Sequence, residues 1–373
     1  MSRLLARLLQ TIDEAPDPVS QARARLQRAL YCARRGDLDG AQASADPVRQ
    51  NPRLARLPAL AVDLILVDAA ILLFSAEPAK ALDKARRAAA IAQALSDGSG
   101  VAASAAWVAW CALWLRRYDE ALAHAAIALR HADDGFAHAC AALVVADGCQ
   151  VGGRPDLARA WTGQARRAAV GGGDELMIGA VIAHAAAAAV RAARLHRLAG
   201  TAADADADAQ VDLALASALN YAAGIKSTAL AWWLPSVKAQ WLLAQGGVQA
   251  AGKLLAHWIP QLPGSVCPGL RQGLRADHAW CLLDGGHAAD VRAQLDELEE
   301  AMPAHSDTEE QALALARLQT LAAALGESGR AAALARRAGD ALTGLQAVQA
   351  RLGARVAAEF DLSSQPAVRR SQP

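Results

Sequence analysis

Three aspartates spaced two residues apart, Asp204, Asp206 and Asp208, have the spacing of the first ligands of a calcium-binding loop. Calcium is held by carboxylate and carbonyl oxygens, and such a loop requires glycine at its sixth position and glutamate at its twelfth. Ala209 and Leu215 occupy those two positions here. The series therefore predicts a solvated linker and the start of a helix, and not a metal site.

The string GGGDEL, which begins at Gly171, also contains residues that could do chemistry. It is similar to the signature of the bacterial diguanylate cyclases, where the motif lies on a β-hairpin. Here it lies between WTGQARRAA and LMIGAVIAHAAAAAVRAARLHRLA, which both have helical patterns. Glycine readily ends a helix, and Asp174 is well suited to cap the next one, with Glu175 favourable in its first turn. The string therefore predicts a helix boundary and not an active site.

No other string completes a catalytic or phosphate-binding motif. AAGIKST, around Lys226, lacks the first glycine of a phosphate loop and has Ile225 between glycine and lysine, so it predicts a turn. The nine histidines show no metal-ligand spacing, and no GxSxG motif is present. We expect no catalytic residue, no cofactor and no metal. Catalytic residues that converge from distant segments would not be visible in the sequence.

The composition indicates which elements position these residues. Hydrophobic residues make up 54% of the 373 residues, aromatic residues only 4%, and much of the apolar content is alanine. Alanine is the best helix former and permits close approach of helices, whereas sheets favour β-branched and aromatic residues. The chain is therefore predicted to be all-α. Its formal charge of +1 provides no overall field that would attract nucleic acid or anionic lipid.

Two further features bear on the cellular location. The six cysteines form no CxxC pair and mostly lie in apolar helical context, which is typical of reduced, buried thiols. The first residues are too interrupted by charge for a signal peptide. The longest apolar runs fall short of the roughly 18 residues that a membrane span needs. We expect a soluble, cytoplasmic protein without a membrane partner.

A repeated pattern of apolar helix, short turn and alanine-rich helix runs along the chain. Aligning Ala41, Ala81, Ala121 and Ala158 gives intervals of 40, 40 and 37 residues. Glycine- and proline-containing breakers separate the units. The pattern predicts about eight antiparallel helix hairpins and a final helix that ends near Phe360. We expect one repeat domain over residues 1–362 and a disordered tail over 363–373.

The pattern resembles the tetratricopeptide-repeat superfamily. One unit carries the Tyr-Asp-x-Ala core of that family at Tyr118, Asp119 and Ala121, with Ala128 following. The resemblance implies a right-handed α-solenoid of helix hairpins. The intervals exceed the family's repeat of about 34 residues, and Ala109 replaces its usual first-helix glycine. Those departures make the chain more similar to the longer, divergent repeats of bacterial sensor and regulator proteins.

The resemblance also implies which residues line the concave, ligand-binding side of the superhelix. Placing the family's first-helix positions on this chain selects Asp63, Phe74, Trp110, Trp114, Asp147, Gln150, Trp233, Gln240 and Trp280. His184, Arg191 and Arg194 lie near one side of the helix that follows GGGDEL. A solvated face is the favoured interpretation of these three residues, and a contact with an anion is the alternative.

Tryptophan is unusually frequent, with nine residues against three Phe and three Tyr. Trp107, Trp110 and Trp114 recur at helical spacing and form one stripe. Two interpretations stay open. The stripe either fills core space between thin helices, or it lines a groove, where tryptophan supplies a large contact area.

These observations predict a non-catalytic repeat module that binds a protein or peptide partner in its concave groove. The alternative is a ligand-sensing regulatory protein in bacterial signalling, whose superhelix responds to a small molecule or a signalling peptide. An enzyme built into the groove is a third hypothesis. We expect no nucleic-acid partner, and the sequence does not identify the ligand.

Overall fold

The computed structural model describes residues 2–132, 135–200, 205–262, 268–302 and 308–361. Helix accounts for 85% of the structure, and the described ranges contain no strand, so the all-α prediction is confirmed. Asp204 and the segment 363–373, which was predicted to be a disordered tail, lie outside the described residues.

Eight sequential helix pairs form the molecule, preceded by α1 (Arg3–Asp13) and interrupted after the first pair by the short α4 (Pro52–Ala55). This agrees with the predicted number of hairpins. The pairs are α2 (Pro18–Arg35) and α3 (Leu38–Arg49), α5 (Pro58–Phe74) and α6 (Pro78–Ala94), α7 (Gly98–Trp114) and α8 (Tyr118–His131), and α9 (Gly135–Val151) and α10 (Pro155–Gly172). They continue with α11 (Glu175–Leu198) and α12 (Ala205–Gly224), α13 (Trp233–Ala244) and α14 (Val248–Trp258), α15 (Pro268–Asp284) and α16 (Ala288–Glu300), and α17 (Thr308–Ala324) and α18 (Ser328–Glu359).

The turns within the pairs share one backbone conformation. In all eight pairs, the first helix is followed by a residue in the left-handed region, namely Gly36, Ala76, Arg116, Gly153, Gly200, Gly246, Gly286 and Gly326. In the first of these turns, the amides of Gly36 and Asp37 donate to the carbonyls of Ala33 and Cys32 at 3.0 Å. Six further turns, all except the one at Gly200, repeat this pair of bonds within the described residues, which satisfies carbonyls that a helix end leaves free.

The aligned alanines occupy equivalent places in the structure. Ala41, Ala81, Ala121 and Ala158 each follow the left-handed residue by five positions, and all four are buried. The intervals of 40 residues also recur at the left-handed glycines of the last three pairs, so the repeat extends beyond the four aligned units. Tyr118 of the Tyr-Asp-x-Ala core begins α8.

The last helix returns to the middle of the molecule. Its first part packs on α17, and its second part contacts α9, where the backbones of Gly353 and Gly152 approach closely. Trp161 on α10 donates its indole N–H to the carbonyl of Phe360 at 2.9 Å. Arg351 and Arg355 pair with a carboxylate on α8. The end of α18 thereby becomes part of the core formed by the earlier pairs.

A second long-range contact closes the middle of the chain onto its beginning. The connection between α12 and α13 places the amides of Thr228 and Ala229 at 2.9 and 3.2 Å from the carbonyl of Arg35, at the end of α2. The predicted turn around Lys226 is therefore confirmed, and it also contacts a distant helix.

Helix α11 is long and apolar. Among the described residues it alone has the length and composition of a membrane-spanning helix, with 24 residues and an 18-residue stretch whose mean hydropathy is 1.7. No apolar run of this length was predicted from the sequence. About 44% of that apolar stretch is buried within the protein. The helix contacts α9, α10, α12, α13 and α17.

Replacing Gly353 with alanine should loosen the contact between α18 and α9. A Cβ atom at residue 353 would lie 2.5 Å from the backbone carbonyl oxygen of Gly152. We expect the free energy of unfolding to fall by about 1–3 kcal/mol, as for overpacking elsewhere. Residues 345–360 should also exchange their amide hydrogens faster. Urea unfolding and hydrogen–deuterium exchange measure the two effects.

Gly344→Ala is the matched control on the same helix, because a Cβ atom at residue 344 meets nothing within 4 Å. Alanine is more favourable than glycine inside a helix by about 1 kcal/mol, so this variant should be at least as stable as the parent. Equal behaviour of Gly344→Ala and Gly353→Ala would show that the contact with Gly152 does not constrain α18.

Candidate functional site

The tryptophan stripe of α7 is packed against aromatic rings of neighbouring helices and also borders cavities. Trp107 is buried and lies 5.5 Å from the ring of Phe136 on α9. Phe74 on α5 makes an edge contact with Trp110 at 5.9 Å between ring centroids. Trp110 and Trp114 line one cavity, and Trp107 lines a different cavity near α1 and α2.

The cavity lined by Trp110 and Trp114, called the aromatic cavity below, has a volume of about 100 Å³. It lies between α5 and α7 on one side, α11 on another, and the α12–α13 connection and the start of α13 on the third. Its wall is mainly apolar and includes Phe74, Trp110, Trp114, Ala183, Ile225 and Trp233.

A second cavity of about 60 Å³ lies beside the first and is polar. It is called the charged cavity because its wall includes Arg116, Asp147, Arg191, Arg194, Gln240 and Glu310. Three rings line both cavities, namely Trp114, His184 and Trp233. Trp233 lies 5.3 Å from Trp114 and 4.9 Å from His184 between ring centroids, so the three rings form a common wall.

A buried hydrogen bond joins α9 to α11 in the charged cavity. His184 Nδ1 lies 2.7 Å from an Asp147 carboxylate oxygen. Burial by itself raises the pKa of Asp147, but His184, Arg191 and Arg116 together outweigh it and hold that pKa below its usual value. The carboxylate is therefore ionised at neutral pH, and it fixes the orientation of the imidazole ring that both cavities share.

The arginines of α11 pair with carboxylates of distant helices. Arg191 lies 2.9 Å from Glu309 on α17, and Arg194 lies 3.1 Å from Asp277 on α15, which also accepts from Arg317 at 2.9 Å. The side chains of Arg191 and Arg194 are only 13% and 10% exposed. The favoured interpretation of a solvated face is wrong, because burial of these cations is compensated by ion pairs within the chain.

Most of the predicted groove residues converge on these two cavities. The exceptions are Asp63, Gln150 and Trp280. Asp63 lines a third cavity of about 280 Å³ near α1 and α2, called the N-terminal cavity. Gln150 is half-buried and lines none of the three, and Trp280 packs beneath the guanidinium of Arg317 at 5.4 Å.

Several residues that line the cavities were not predicted from the sequence. Arg34 lines both the aromatic and the N-terminal cavity, and Arg116 and Glu310 line the charged cavity. The repeat alignment distinguishes Arg116. It occupies the left-handed turn position at which all the later pairs have glycine. No local pattern distinguishes Glu310 from the other acids of its segment.

The GGGDEL string lies at a helix boundary, as predicted. Gly173 follows α10 with a φ of 66°, and the Asp174 carboxylate accepts from the amide of Met177 at 3.1 Å, which caps α11. The same carboxylate also lies 2.6 Å from Arg34, and both side chains are buried. Tyr31 on α2 donates to Glu175. The boundary therefore also joins α11 to α2.

The described residues contain no group of three or more His, Cys, Asp or Glu side chains that could hold a metal ion. Asp206 and Asp208 lie in the first turn of α12, where Asp208 pairs with Arg197 at 2.6 Å. The five cysteines of the described ranges are buried, as expected. Burial raises the pKa of Cys149 to about 12 and that of Cys281 to about 11, which disfavours a thiolate nucleophile.

No protein-family model matches the chain, and no curated protein is significantly similar to it. The chemistry of the site therefore follows from its geometry. A histidine oriented by a carboxylate also occurs in hydrolases, where it activates a hydroxyl or thiol. Ser227 is the one hydroxyl residue in the described wall of either cavity, and its Oγ lies 3.4 Å from the carbonyl of Arg35. The arrangement suits binding better than nucleophilic catalysis.

Removing the Asp174 carboxylate should affect both the cap and the ion pair. Removing one partner of a buried ion pair costs about 3–5 kcal/mol, whereas losing a helix cap costs about 1 kcal/mol. We expect Asp174→Ala to lower the free energy of unfolding by about 3 kcal/mol or more in urea denaturation. Asp17→Ala is the control, because Asp17 caps α2 in an exposed position. A loss as small as that of the control would show that the pair with Arg34 contributes nothing.

Asp63 should make stability depend on pH. Burial raises its pKa from 3.8 to about 6, although Arg23 opposes the shift. Between those values the folded state holds a proton that the unfolded state releases, so stability falls as pH rises through this window. Asp63→Asn should be more stable than the parent at pH 8 by up to about 2 kcal/mol, with little difference at pH 4. Melting temperatures across this range test it, and a difference independent of pH would contradict it.

Proposed function

We propose that the chain is a tetratricopeptide-like right-handed α-solenoid, with one repeat domain over residues 1–362. Three observations support this proposal. Among the described residues eight helix pairs follow one another, the first helix of each pair is followed by a left-handed residue, and intervals of 40 residues recur at both ends of the chain. In such arrays each pair buries its apolar face against its neighbours.

We further propose that it is a non-catalytic, ligand-sensing regulatory protein of bacterial signalling, located in the cytoplasm. The observation that carries this proposal is the common wall of Trp114, His184 and Trp233 between an aromatic and a charged cavity. An engineered apolar cavity of about 150 Å³ holds benzene, so the aromatic cavity, with about 100 Å³, suits a molecule no larger than benzene. The two cavities combine apolar walls with a few convergent polar groups, as small-molecule sites do.

The position of α11 suggests how binding would be communicated. His184 on this helix faces both cavities, whereas Arg191 and Arg194, about two and three turns later, bind α17 and α15. A ligand that contacts α11 more favourably in one arrangement of these helices shifts the population towards that arrangement. We propose that the output is an altered affinity for a partner protein.

Peptide binding by a scaffold or adaptor is the second candidate function. The N-terminal cavity favours it, because Arg7, Arg23, Asp63 and Asp97 in its wall offer both signs of charge to the termini or side chains of a peptide. The interior beside α9 is less suitable for an extended peptide, since α18 and the α12–α13 connection already pack onto the earlier helices. The absence of nucleic-acid and membrane partners stays a prediction.

Filling the aromatic cavity should abolish ligand binding without unfolding the protein. Ala183 is a buried cavity residue of α11, so leucine at this position occupies the cavity, whereas Ala185 is exposed on the same helix. The parent, Ala183→Leu and Ala185→Leu are incubated with the low-molecular-mass fraction of an extract from cells that express the chain. Native mass spectrometry then reports bound molecules.

We expect the parent and Ala185→Leu to retain a discrete added mass and Ala183→Leu to lose it, with unchanged helical content by circular dichroism. A parent protein that retains no small molecule from the extract would contradict the sensing function. Conversion of the bound molecule into a second species would contradict the non-catalytic part of the proposal.

A further inference from the structure

Two buried indole N–H groups of α7 have no hydrogen-bond partner among the described residues. They are Nε1 of Trp110 and Nε1 of Trp114, and the amide Nε2 of Gln240 on α13 is in the same state. All three side chains line the adjacent cavities, Trp110 and Trp114 the aromatic one and Trp114 and Gln240 the charged one. Three unpaired buried donors therefore lie around one site, whereas Nε of Arg28 and Nδ1 of His124 are unpaired elsewhere among the described residues.

Such a concentration requires a physical reason. More than about 90% of buried polar groups in proteins are hydrogen-bonded, because a desolvated donor without an acceptor is unfavourable. Two other tryptophans show the usual solution. Trp161 donates to the carbonyl of Phe360, and Trp241 donates to a carboxylate oxygen of Asp212. Trp110 and Trp114 differ from these two residues in lining a cavity.

The charges around the aromatic cavity restrict the ligand that could satisfy these donors. Arg34 is neutralised by Asp174 at 2.6 Å, and His184 is hydrogen-bonded to Asp147 at 2.7 Å. The rest of the described wall is mostly alkyl and aromatic. A charged ligand would lose its hydration without gaining an ion pair, which is strongly unfavourable.

We infer that the aromatic cavity binds a small, uncharged, largely apolar molecule that carries a carbonyl-type acceptor, and that the indole N–H groups of Trp110 and Trp114 recognise this acceptor. The inference rests on the proposed sensing function and names the chemical class of its ligand. It assigns the aromatic stripe two roles. The ring faces bind the apolar part of the ligand, and the Nε1 atoms supply the polar contacts.

The test compares two probe molecules of the same shape. Cyclobutanone carries a carbonyl oxygen, methylenecyclobutane has a methylene group in its place, and both are smaller than benzene, as the cavity volume of about 100 Å³ requires. Isothermal titration calorimetry measures the binding of both to the parent, Trp110→Phe, Trp114→Phe and the control Trp161→Phe. Phenylalanine retains the aromatic character and removes the donor. Trp161 lies outside the cavity walls described here, so its variant controls for the loss of any indole.

We expect the parent and Trp161→Phe to bind cyclobutanone about tenfold more tightly than methylenecyclobutane, as one satisfied donor would give. In Trp110→Phe or Trp114→Phe this preference should fall towards one. The indole N–H resonance of the residue concerned, assigned from its missing signal in the matching variant, should shift when the parent binds cyclobutanone. Circular dichroism verifies that each variant is folded.

Equal affinity of the parent for both probes would overturn the inference and leave the sensing function intact, since the cavity would then bind apolar molecules without using its donors. Water at the donors gives this same outcome, because water would satisfy them with either probe present. Binding of neither probe would also overturn the inference. If the parent in addition retained no molecule from the cell extract, the sensing function would fail as well.

Discussion

In several pairs, an alanine near the start of the second helix is almost completely enclosed by its neighbours. Ala41, Ala81, Ala121 and Ala251 are each no more than 1% exposed. Alanine at these places allows the helices to approach closely, and close approach leaves little volume for large side chains. The remaining space is filled by a few tryptophans, which are too large and too rigid to fill it evenly. The cavities on either side of the Trp114, His184 and Trp233 wall follow from this mismatch.

Helix α11 departs from the repeat that surrounds it. Its pair has no left-handed residue followed after five positions by a buried alanine, and the helix places a histidine and two arginines in the interior. Buried ion pairs of this kind add little net stability, because desolvation offsets the attraction. However, every arrangement of the helices that leaves one of these buried charges without its partner is strongly destabilised. The pairs with Asp147, Asp277 and Glu309 therefore select the position of α11 relative to α9, α15 and α17.

The sequence predicted the features that depend on local patterns. The helix pairs, the boundary at Asp174 and the recurrence of Ala41, Ala81 and Ala121 all follow from short-range propensity and spacing. Several candidate residues selected through the resemblance to a repeat family, such as Trp110, Trp114 and Asp147, lie at the cavities. The partners of the α11 cations could not be predicted. The residues of the pair between Arg194 and Asp277 are 83 positions apart, and a local pattern cannot distinguish a solvated arginine from one that meets a distant carboxylate.

The return of α18 has a consequence for how the protein is made. In an open repeat array each unit contacts only its neighbours, so units can become complete one after another as the ribosome releases them. Here Arg351 binds a residue 232 positions earlier, and Leu352, Val356 and Phe360 complete the core of pairs that are translated long before. The indole N–H of Trp161 can donate to the carbonyl of Phe360 only after residue 360 has been synthesised. The hydrophobic core of the earlier pairs therefore stays incomplete, and dependent on protection from aggregation, until the last helix has been translated.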